Sequence, residues 1–485
     1  MTDQALRGLA LRTLLASFPG TTLPAWAARL LDDGLAGYVL FGYNIADRGQ
    51  VRDLVAELRR ARPDTIVGID EEGGDVTRLA HAEGSRYPGN AALGAVDDTD
   101  LTRRVHRAIG TELHQLGINL NLAPIVDVNS SDDNPIIGTR SFGVDPYLVA
   151  RHGAAAVVGL QSAGVAACAK HFPGHGATVT DSHDELPTVD SSLDGLRERE
   201  LPPFAAVIAA GVRAVMTAHI RVPALTGQAP ATLTPRVVTD LLRSELGFTG
   251  TVVTDALEMR GASAEIGIPE SAVRALAAGV DLLCIGARVD ADLVEACATA
   301  IVAAVRDGRL APERLEEAAS HNAALAVPVP VVPEPPAAGN GDLGVAAARR
   351  ALRIEGSLPR LRKPLLVQID SPATIAAGEL PWGLTTYLGG DVEVVRVSPT
   401  DQTSPAEFIS TAGDRQILVV SRDTHRHPYA RHLVERLAAD HPEVVLVEMG
   451  WPAAWRPEGL RAYLATYGAS QANARAAANA LLAVE

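Results

Sequence analysis

Cysteine is scarce in this chain, and the few cysteines are placed so that they exclude several classes of protein. Cys168, Cys284 and Cys297 are odd in number and far apart, so they do not form the disulfide framework of a small secreted domain. No two of them have the spacing of a metal-binding pair. Each lies among apolar residues, which predicts small buried side chains in a reducing compartment.

The chain also lacks a segment that would direct it into or across a membrane. No apolar run is long enough to span a bilayer. Residues 1–7 show no basic start followed by an apolar stretch and a small-residue cleavage site, as a signal peptide would. We therefore expect a cytoplasmic protein.

Positive charge is in deficit. Lys and Arg number 43 against 58 Asp and Glu, which gives a net charge of -15 at pH 7. This balance argues against nucleic acid or an anionic membrane as a main partner, because binding phosphate requires a positive field. The hydrophobic content of 47% is that of a folded globular protein, and 485 residues predict two or more domains.

Residues 1–326 alternate short apolar runs with amphipathic stretches. The eight runs are almost continuously apolar, as expected for parallel strands covered on both faces: 13–18, 37–41, 65–70, 119–127, 166–172, 214–220, 251–257 and 281–285. The helices predicted between them are 22–33, 51–62, 101–115, 146–163, 193–210, 235–246 and 269–278. This alternation favours a TIM (β/α)8-like barrel, with a doubly wound open sheet as the alternative.

A proline-rich stretch, residues 327–341, predicts a stiff linker and a domain boundary. Beyond it, residues 342–485 contain three apolar runs and two helical patterns. The runs are 365–369, 416–420 and 444–447, and the helices are 430–439 and 469–482. They predict a smaller α/β domain of the αβα sandwich type, in which we find no catalytic motif.

Polar residues cluster where the predicted barrel strands end. Asp70, Asp127, His171, His219 and Asp255 follow or close the third to seventh strands in turn. In a barrel the loops after the strands open on one face, which is where the active sites of barrel enzymes lie. The pattern therefore predicts an enzyme with its site at that face.

The stretch 170–183 has the composition of an active-site loop. It holds Lys170, three histidines and Asp181 among glycines and a proline, and such side chains cost free energy to bury unpaired. Asp181 beside His183 would fix the imidazole tautomer and raise its pKa, which suits a proton shuttle near neutrality. His171 and His175 are four residues apart, but the intervening proline forbids a regular helix, so we predict no metal.

Charged residues near the strand ends have a functional and a structural interpretation. Asp255 closes a buried strand, so it either faces the barrel mouth or caps a following helix. Asp70 precedes two glycines that allow the backbone to approach a ligand closely. Arg78 either makes a forked contact with a polar ligand or forms a surface salt bridge.

Four motifs in order identify the family that the chain resembles. They are Ile-Asp-Glu-Glu-Gly-Gly-Asp-Val-Thr-Arg at 69–78, Arg-Ser-Phe-Gly-Val-Asp-Pro at 140–146, Lys-His-Phe-Pro-Gly-His-Gly continuing to Asp-Ser-His at 170–183, and Thr-Asp-Ala-Leu-Glu-Met at 254–259. Together they resemble glycoside hydrolase family 3, and more narrowly its bacterial β-N-acetylglucosaminidases (β-N-acetylhexosaminidases). The resemblance covers about the first two-thirds of the chain. It departs from the family pattern at Asp75, where arginine is frequent, and at Ala177, where aspartate is frequent.

The resemblance implies a role for each matched residue. Asp255 would be the nucleophile of a retaining, two-step hydrolysis, His183 the general acid and then base, and Asp181 its orienting partner. The residues that would bind the non-reducing N-acetylglucosamine are Asp70, Arg78, Arg140, Lys170 and His171. No cofactor is implied. The implied substrates are small carbohydrates containing N-acetylglucosamine, from cell-wall muropeptides or from chitin, and the absence of a leader favours recycling of imported fragments.

Three alternatives remain at this level. A phosphorylase of the same fold would use phosphate in place of water, since a neutral histidine, unlike a carboxylate, does not repel an incoming phosphate. A β-glucosidase or xylosidase usually lacks the histidine loop. A catalytically inactive sugar-binding protein would have no need of Asp181, His183 and Asp255.

Overall fold

The computed structural model describes residues 1–178, 180, 185–328, 330–332, 343–389, 392–398, 400 and 403–482. The chain divides into two compact units, each assembled from several stretches of sequence. The first unit comprises Met1–Glu72, Thr99–Ile137 and Gly143–Pro335, and the second comprises Gly73–Asp98, Gly138–Phe142 and Pro336–Glu485. In the described ranges, no helix has the length and apolar character needed to cross a membrane.

The first unit is a parallel eight-stranded barrel. Its strands are β1 Leu14–Ala16, β2 Gly37–Leu40, β3 Ile66–Ile69, β4 Leu120–Asn121, β5 Ala166–Phe172, β6 Ala214–Thr217, β7 Thr251–Thr254 and β8 Leu283–Cys284. They pair in the order β7-β6-β5-β4-β3-β2-β1-β8, and a parallel bridge between Val253 and Leu282 joins the two ends. The predicted barrel is confirmed, and the open-sheet alternative is wrong because all eight strands share one ring.

The barrel strands are short and apolar on both faces, which is why they were visible in the sequence. One buried cluster inside the ring contains residues of most strands, among them Leu15, Val39, Leu120 and Met216. Strand β2 also requires a glycine, since a Cβ on Gly37 would lie 1.9 Å from the carbonyl oxygen of Ile66.

The helices of the first unit follow the strands. They are Asp3–Leu11, Ala25–Asp33, Arg48–Ala61, Thr99–Gln115, Pro146–Ser162, Leu193–Arg199, Leu201–Ala209, Pro223–Thr226, the π-helix Arg236–Glu245, Arg260–Ser263, Gly267–Ala278, Ala291–Arg306 and Pro312–Ala326, with 3-10 turns at Gly42–Asn44 and Ala231–Leu233. The predicted helix 193–210 is divided at Glu200, because Pro202 and Pro203 supply no amide donors.

The second unit is built on a six-stranded sheet. Its strands are β9 Arg353–Gly356, β10 Leu365–Ile369, β11 Glu393–Val397, β12 Ile417–Ser421, β13 Val444–Glu448 and β14 Ala462–Ala465. The order is β11-β10-β12-β13-β14-β9, and only β9, which runs antiparallel to β14, departs from a parallel arrangement. The prediction missed the edge strands β9 and β11, because they are half exposed and not continuously apolar.

Helices cover both faces of this sheet. They are Asn90–Val96, Leu343–Ala351, Thr385–Leu388, Pro405–Ala412, Pro428–Asp440 and Gln471–Leu482, with 3-10 turns at Gly138–Arg140 and Thr424–Arg426. Pro428–Asp440 packs on the face that includes Val419, whereas Gln471–Leu482 packs on the face that includes Leu418. The predicted αβα sandwich is therefore confirmed.

Candidate active site

The Lys170 side chain, at the end of β5, forms ion pairs with two carboxylates that follow β3. Its Nζ lies 2.6 Å from Oδ1 of Asp70, which follows β3, and 2.8 Å from Oε1 of Glu72. The lysine side chain is only 3% exposed, so the two carboxylates compensate a charge that would otherwise be costly to bury. Asp70 and Lys170 were predicted together. Glu72 was not singled out, since the sequence alone does not show which of the two glutamates after Asp70 faces the lysine.

Asp127 holds the backbone and the ring of His171. Its Oδ2 accepts a hydrogen bond from His171 Nδ1 at 2.8 Å, and the amides of His171 and His175 donate to its Oδ1 at 3.2 and 2.7 Å. Burial would raise the pKa of Asp127, but the charge and hydrogen bonds of His171 outweigh it, so the pKa is lowered. The carboxylate thus fixes the orientation of the His171 ring through a hydrogen bond from Nδ1.

The contacts of His175 stabilise the conformation of this loop. Its Nδ1 contacts Thr178 Oγ1 at 2.8 Å, and its carbonyl accepts from Asn134 Nδ2 at 3.1 Å. Burial, followed by the influence of His171, lowers its pKa to about 4, so the ring is neutral at pH 7. A Cβ on the next residue, Gly176, would lie 1.7 Å from the carbonyl oxygen of Val128, and only glycine fits there.

Asp255 follows β7 and lies beside the end of β6. Its amide donates to the Thr217 carbonyl at 3.2 Å, and its Oδ1 accepts from the amide of Ala256 at 2.8 Å. The next helix begins at Arg260 with Met259 at its N-cap position, so the capping interpretation of Asp255 is wrong. His219 supports the same turn, since its Nε2 lies 3.1 Å from the Ala256 carbonyl oxygen.

The buried thiol of Cys168 on β5 shows that these groups share one electrostatic environment. Its pKa is raised first by burial; Lys170 opposes the rise, and the charges of Asp70 and Asp255 add to it. Asp70, Lys170 and Asp255, at the ends of β3, β5 and β7, therefore all lie near enough to this thiol to affect its pKa. This is the convergence on one face that the strand-end pattern predicted.

Glu200 is a carboxyl group that the sequence argument missed. Its side chain is fully buried and accepts a hydrogen bond from Arg199 Nε at 2.6 Å. Among the described residues, its Oε2 has no hydrogen-bond partner. A Cβ on Gly174 would lie 2.7 Å from this oxygen. Burial raises its pKa to about 7, against the lowering effect of Arg199. A glutamate between two helices gives no sequence signal of such a position.

Four other residues were predicted to belong to the site, Arg78, Arg140, Asp181 and His183. Arg78 and Arg140 belong to the second unit. There Arg78 Nη2 donates to the Ala376 carbonyl at 2.8 Å, and the Arg140 carbonyl accepts from Asn90 Nδ2 at 2.8 Å. Asp181 and His183 lie outside the described residues. Within the part of the chain that the structure describes, no three His, Cys, Asp or Glu side chains are grouped so as to hold a metal ion.

Comparison with known sequences gives matches over this region, both to a family model and to individual proteins. Residues 21–325 match the model of the glycosyl hydrolase family 3 N terminal domain. The β-hexosaminidase A of Pseudoalteromonas piscicida is 36% identical over 404 residues, which span 76% of this chain and 68% of that protein.

Solved structures extend the similarity. A family 3 β-N-acetylglucosaminidase from Paenibacillus sp. str. FPU-7 superimposes with a TM-score of 0.88 at 34% identity, covering 98% of this chain and 96% of that one. NagZ from Neisseria gonorrhoeae, solved with N-trifluoroacetyl-D-glucosamine, has a TM-score of 0.54 at 31% identity and covers 65% of this chain.

Proposed function

The chain belongs to glycosyl hydrolase family 3, and we propose that this glycoside hydrolase is a retaining exo-β-N-acetylglucosaminidase. The observation that carries the proposal is the set of charged groups at the ends of β3, β5 and β7, in which Lys170 pairs with Asp70 and Asp255 follows β7 beside the end of β6. Relatives named β-hexosaminidase and β-N-acetylglucosaminidase support the choice of sugar.

The cluster is suited to holding a pyranose by its hydroxyl groups. Asp70 offers carboxylate acceptors and Lys170 ammonium donors. Because His171 donates from Nδ1 to Asp127, its other ring nitrogen, Nε2, is the one that can form a hydrogen bond with a sugar hydroxyl. Together with Arg78 and Arg140, these are the residues to which we assign the non-reducing N-acetylglucosamine.

The proposed reaction has two steps. The Asp255 carboxylate attacks the anomeric carbon, the glycosidic bond breaks, and the leaving oxygen takes a proton from His183, which Asp181 orients. His183 then removes a proton from water, whose oxygen replaces Asp255 at the anomeric carbon. The sugar departs with the β configuration it had in the substrate, and both side chains return to their first state.

We infer that the natural substrates are terminal β-N-acetylglucosaminides of cell-wall muropeptides or chitin fragments. Transfer to phosphate is a separate outcome that a product assay distinguishes. N-acetylglucosamine as the main product in phosphate buffer supports the hydrolase, and its 1-phosphate as the main product would favour the phosphorylase.

The test is hydrolysis of 4-nitrophenyl β-N-acetylglucosaminide by the intact chain and by Asp255→Ala. We expect kcat to fall by about 10⁴-fold or more in the variant, because no other group supplies the covalent intermediate. Azide added to the variant should restore turnover and yield the α-glycosyl azide, detected by NMR.

A suitable control is Asp47→Asn, because Asp47 caps the helix Arg48–Ala61 and asparagine caps equally well. Its kcat should stay within twofold of the wild type. Unchanged turnover in Asp255→Ala would remove Asp255 as the nucleophile.

A further inference from the structure

The sheet of the second unit has a topological switch point between β10 and β12. From β10 the chain continues to β11 on one side of it, whereas β12 pairs with β10 on the other side. In open α/β sheets the crevice outside the carboxyl ends of two such strands is the usual place for a ligand. The residues that follow these strands are therefore the first place to look for a role of this unit.

Here the strand ends contact a segment of the chain's own N-terminal half. Arg422, directly after β12, donates from Nη2 to Oδ2 of Asp75 at 3.1 Å. Ala376, in the loop after β10, accepts from Arg78 at 2.8 Å. The amide of Ala469, after β14, donates to Oδ1 of Asp75 at 2.8 Å. The loops after β10, β12 and β14 are thus hydrogen-bonded to the stretch that carries Arg78.

Asp75 is also hydrogen-bonded to the stretch that carries Arg140. Its Oδ2 accepts from the hydroxyl of Thr139 at 2.8 Å, and the Arg140 carbonyl is held by Asn90 of the Gly73–Asp98 segment. The Asp75 side chain is 5% exposed, so its three donors are largely shielded from water. A carboxylate with three donors fixes the position of each.

We propose that Asp75 is a positioning residue, which with Arg422 fixes the two segments of the second unit that carry Arg78 and Arg140. This inference rests on the proposed function, since it takes both arginines to be sugar-binding. It gives a reason for aspartate at a position where the family often has arginine.

The test compares Asp75→Asn and Arg422→Gln with the wild type by hydrogen exchange and by kinetics. Asparagine keeps the size of the side chain but loses the charge and presents an amide to one of the donors. We expect faster exchange in peptides from Gly73–Asp98 and Gly138–Phe142, with no change in peptides from the barrel strands. For 4-nitrophenyl β-N-acetylglucosaminide we expect kcat/KM to fall at least tenfold in both variants.

Two readouts separate positioning from a general loss of stability. The inhibition constant of N-acetylglucosamine should rise in parallel with KM. In the double variant Asp75→Asn with Arg78→Ala, the loss in kcat/KM should be smaller than the product of the two single losses, because Asp75 acts partly through Arg78. Glu355→Gln is the matched control. Glu355 pairs with Arg456 in the same unit, and its removal should leave kcat/KM within twofold.

The outcomes are distinguishable. A wild type that does not hydrolyse the substrate would count against the proposed hydrolase. An active wild type whose two segments exchange at the same rate in Asp75→Asn, or a loss in Glu355→Gln as large as in Asp75→Asn, would overturn the positioning role.

Discussion

At the scale of single residues, Asp127 shows how one buried carboxylate can organise a loop. The residue is 1% exposed. Its two carboxylate oxygens accept hydrogen bonds from one ring nitrogen and two backbone amides. In an asparagine at this position, the side-chain NH2 group would replace one carboxylate oxygen and would face a group that also donates. Asp127 therefore determines both the orientation of the His171 ring and the path of the loop that follows it.

Asp127→Asn tests this statement. We expect the free energy of unfolding to fall by about 2–4 kcal/mol, because a buried donor is left without an acceptor. We also expect kcat/KM to fall by about 10²-fold as the His171 ring loses its fixed orientation. Denaturant unfolding and steady-state kinetics measure the two effects, and a variant as stable and active as the wild type would contradict them.

Glu200 predicts an unusual dependence of stability on pH. Its pKa is raised from 4.5 to about 7 in the folded chain, so it favours folding while protonated. That advantage is lost as pH rises from 4.5 through 7. Glu200→Gln cannot ionise, and it should therefore be more stable than the wild type at pH 8 by up to about 3 kcal/mol.

Thermal or denaturant unfolding at pH 4.5 and pH 8 checks this prediction. The two proteins should differ little at pH 4.5, because glutamate and glutamine are then both neutral. A stability difference that is the same at both pH values would show that Glu200 does not titrate in this range.

At the scale of elements, the loop after β5 depends on its contact with the chain after β4. Gly176 lies so close to Val128 that a methyl group would have to displace the backbone. Gly176→Ala should cost about 1–3 kcal/mol in stability and lower kcat more than it raises KM, since this loop leads to the proposed acid/base residues.

Gly8→Ala is the control for this change. Gly8 lies in the helix Asp3–Leu11, and a Cβ there meets nothing within 4 Å. Alanine should be neutral or slightly stabilising in a helix. Equal activities of the two variants would show that the close contact at Gly176 has no catalytic consequence.

The sequence predicted the elements better than their connections. The eight barrel strands and the covered strands β10, β12 and β13 are apolar on both faces, and that signal is strong in any single sequence. The exposed or half-exposed β9 and β11 lack it. The prediction also missed β14, which is apolar and buried but only four residues long. The prediction also brought Asp70, Lys170 and Asp255 to one face, because parallel strands end together. It did not assign Glu72, Asp127 or Glu200 a role, since their positions depend on side-chain packing.

At the scale of the whole molecule, buried histidines determine how the protein responds to acid. His106 and His175 each have a pKa lowered to about 4, mainly by burial. Both are neutral in the folded chain, while the unfolded chain takes up protons below pH 6.5. The contribution of these rings to stability should therefore fall as pH decreases from 6.5 toward 4, by up to about 3 kcal/mol for each ring, opposite in sign to that of Glu200.

His106→Gln isolates one of these contributions. His106 is a buried residue of the helix Thr99–Gln115. The variant should show a flatter decline in unfolding free energy between pH 6.5 and 4.5, while His432→Gln, at an exposed position, should follow the wild type. An unchanged decline in His106→Gln would contradict the prediction.

The division into units also belongs to this scale. Gly73–Asp98 and Gly138–Phe142 come from the N-terminal half of the sequence but fold with the C-terminal sheet. No composition shift or proline run marks these boundaries, because the contacts that define them join residues hundreds of positions apart, as Asp75 and Arg422 do.

Lys170, held between Asp70 and Glu72, is one of only two lysines in the sequence, and Lys363 is the other. The chain therefore carries a spectroscopic label of its own. Protein grown with isotopically enriched lysine would give two side-chain NMR signals, one from each unit, and Lys363 is exposed. A sugar that displaces a carboxylate from the Lys170 ammonium would move one signal and leave the other as an internal reference.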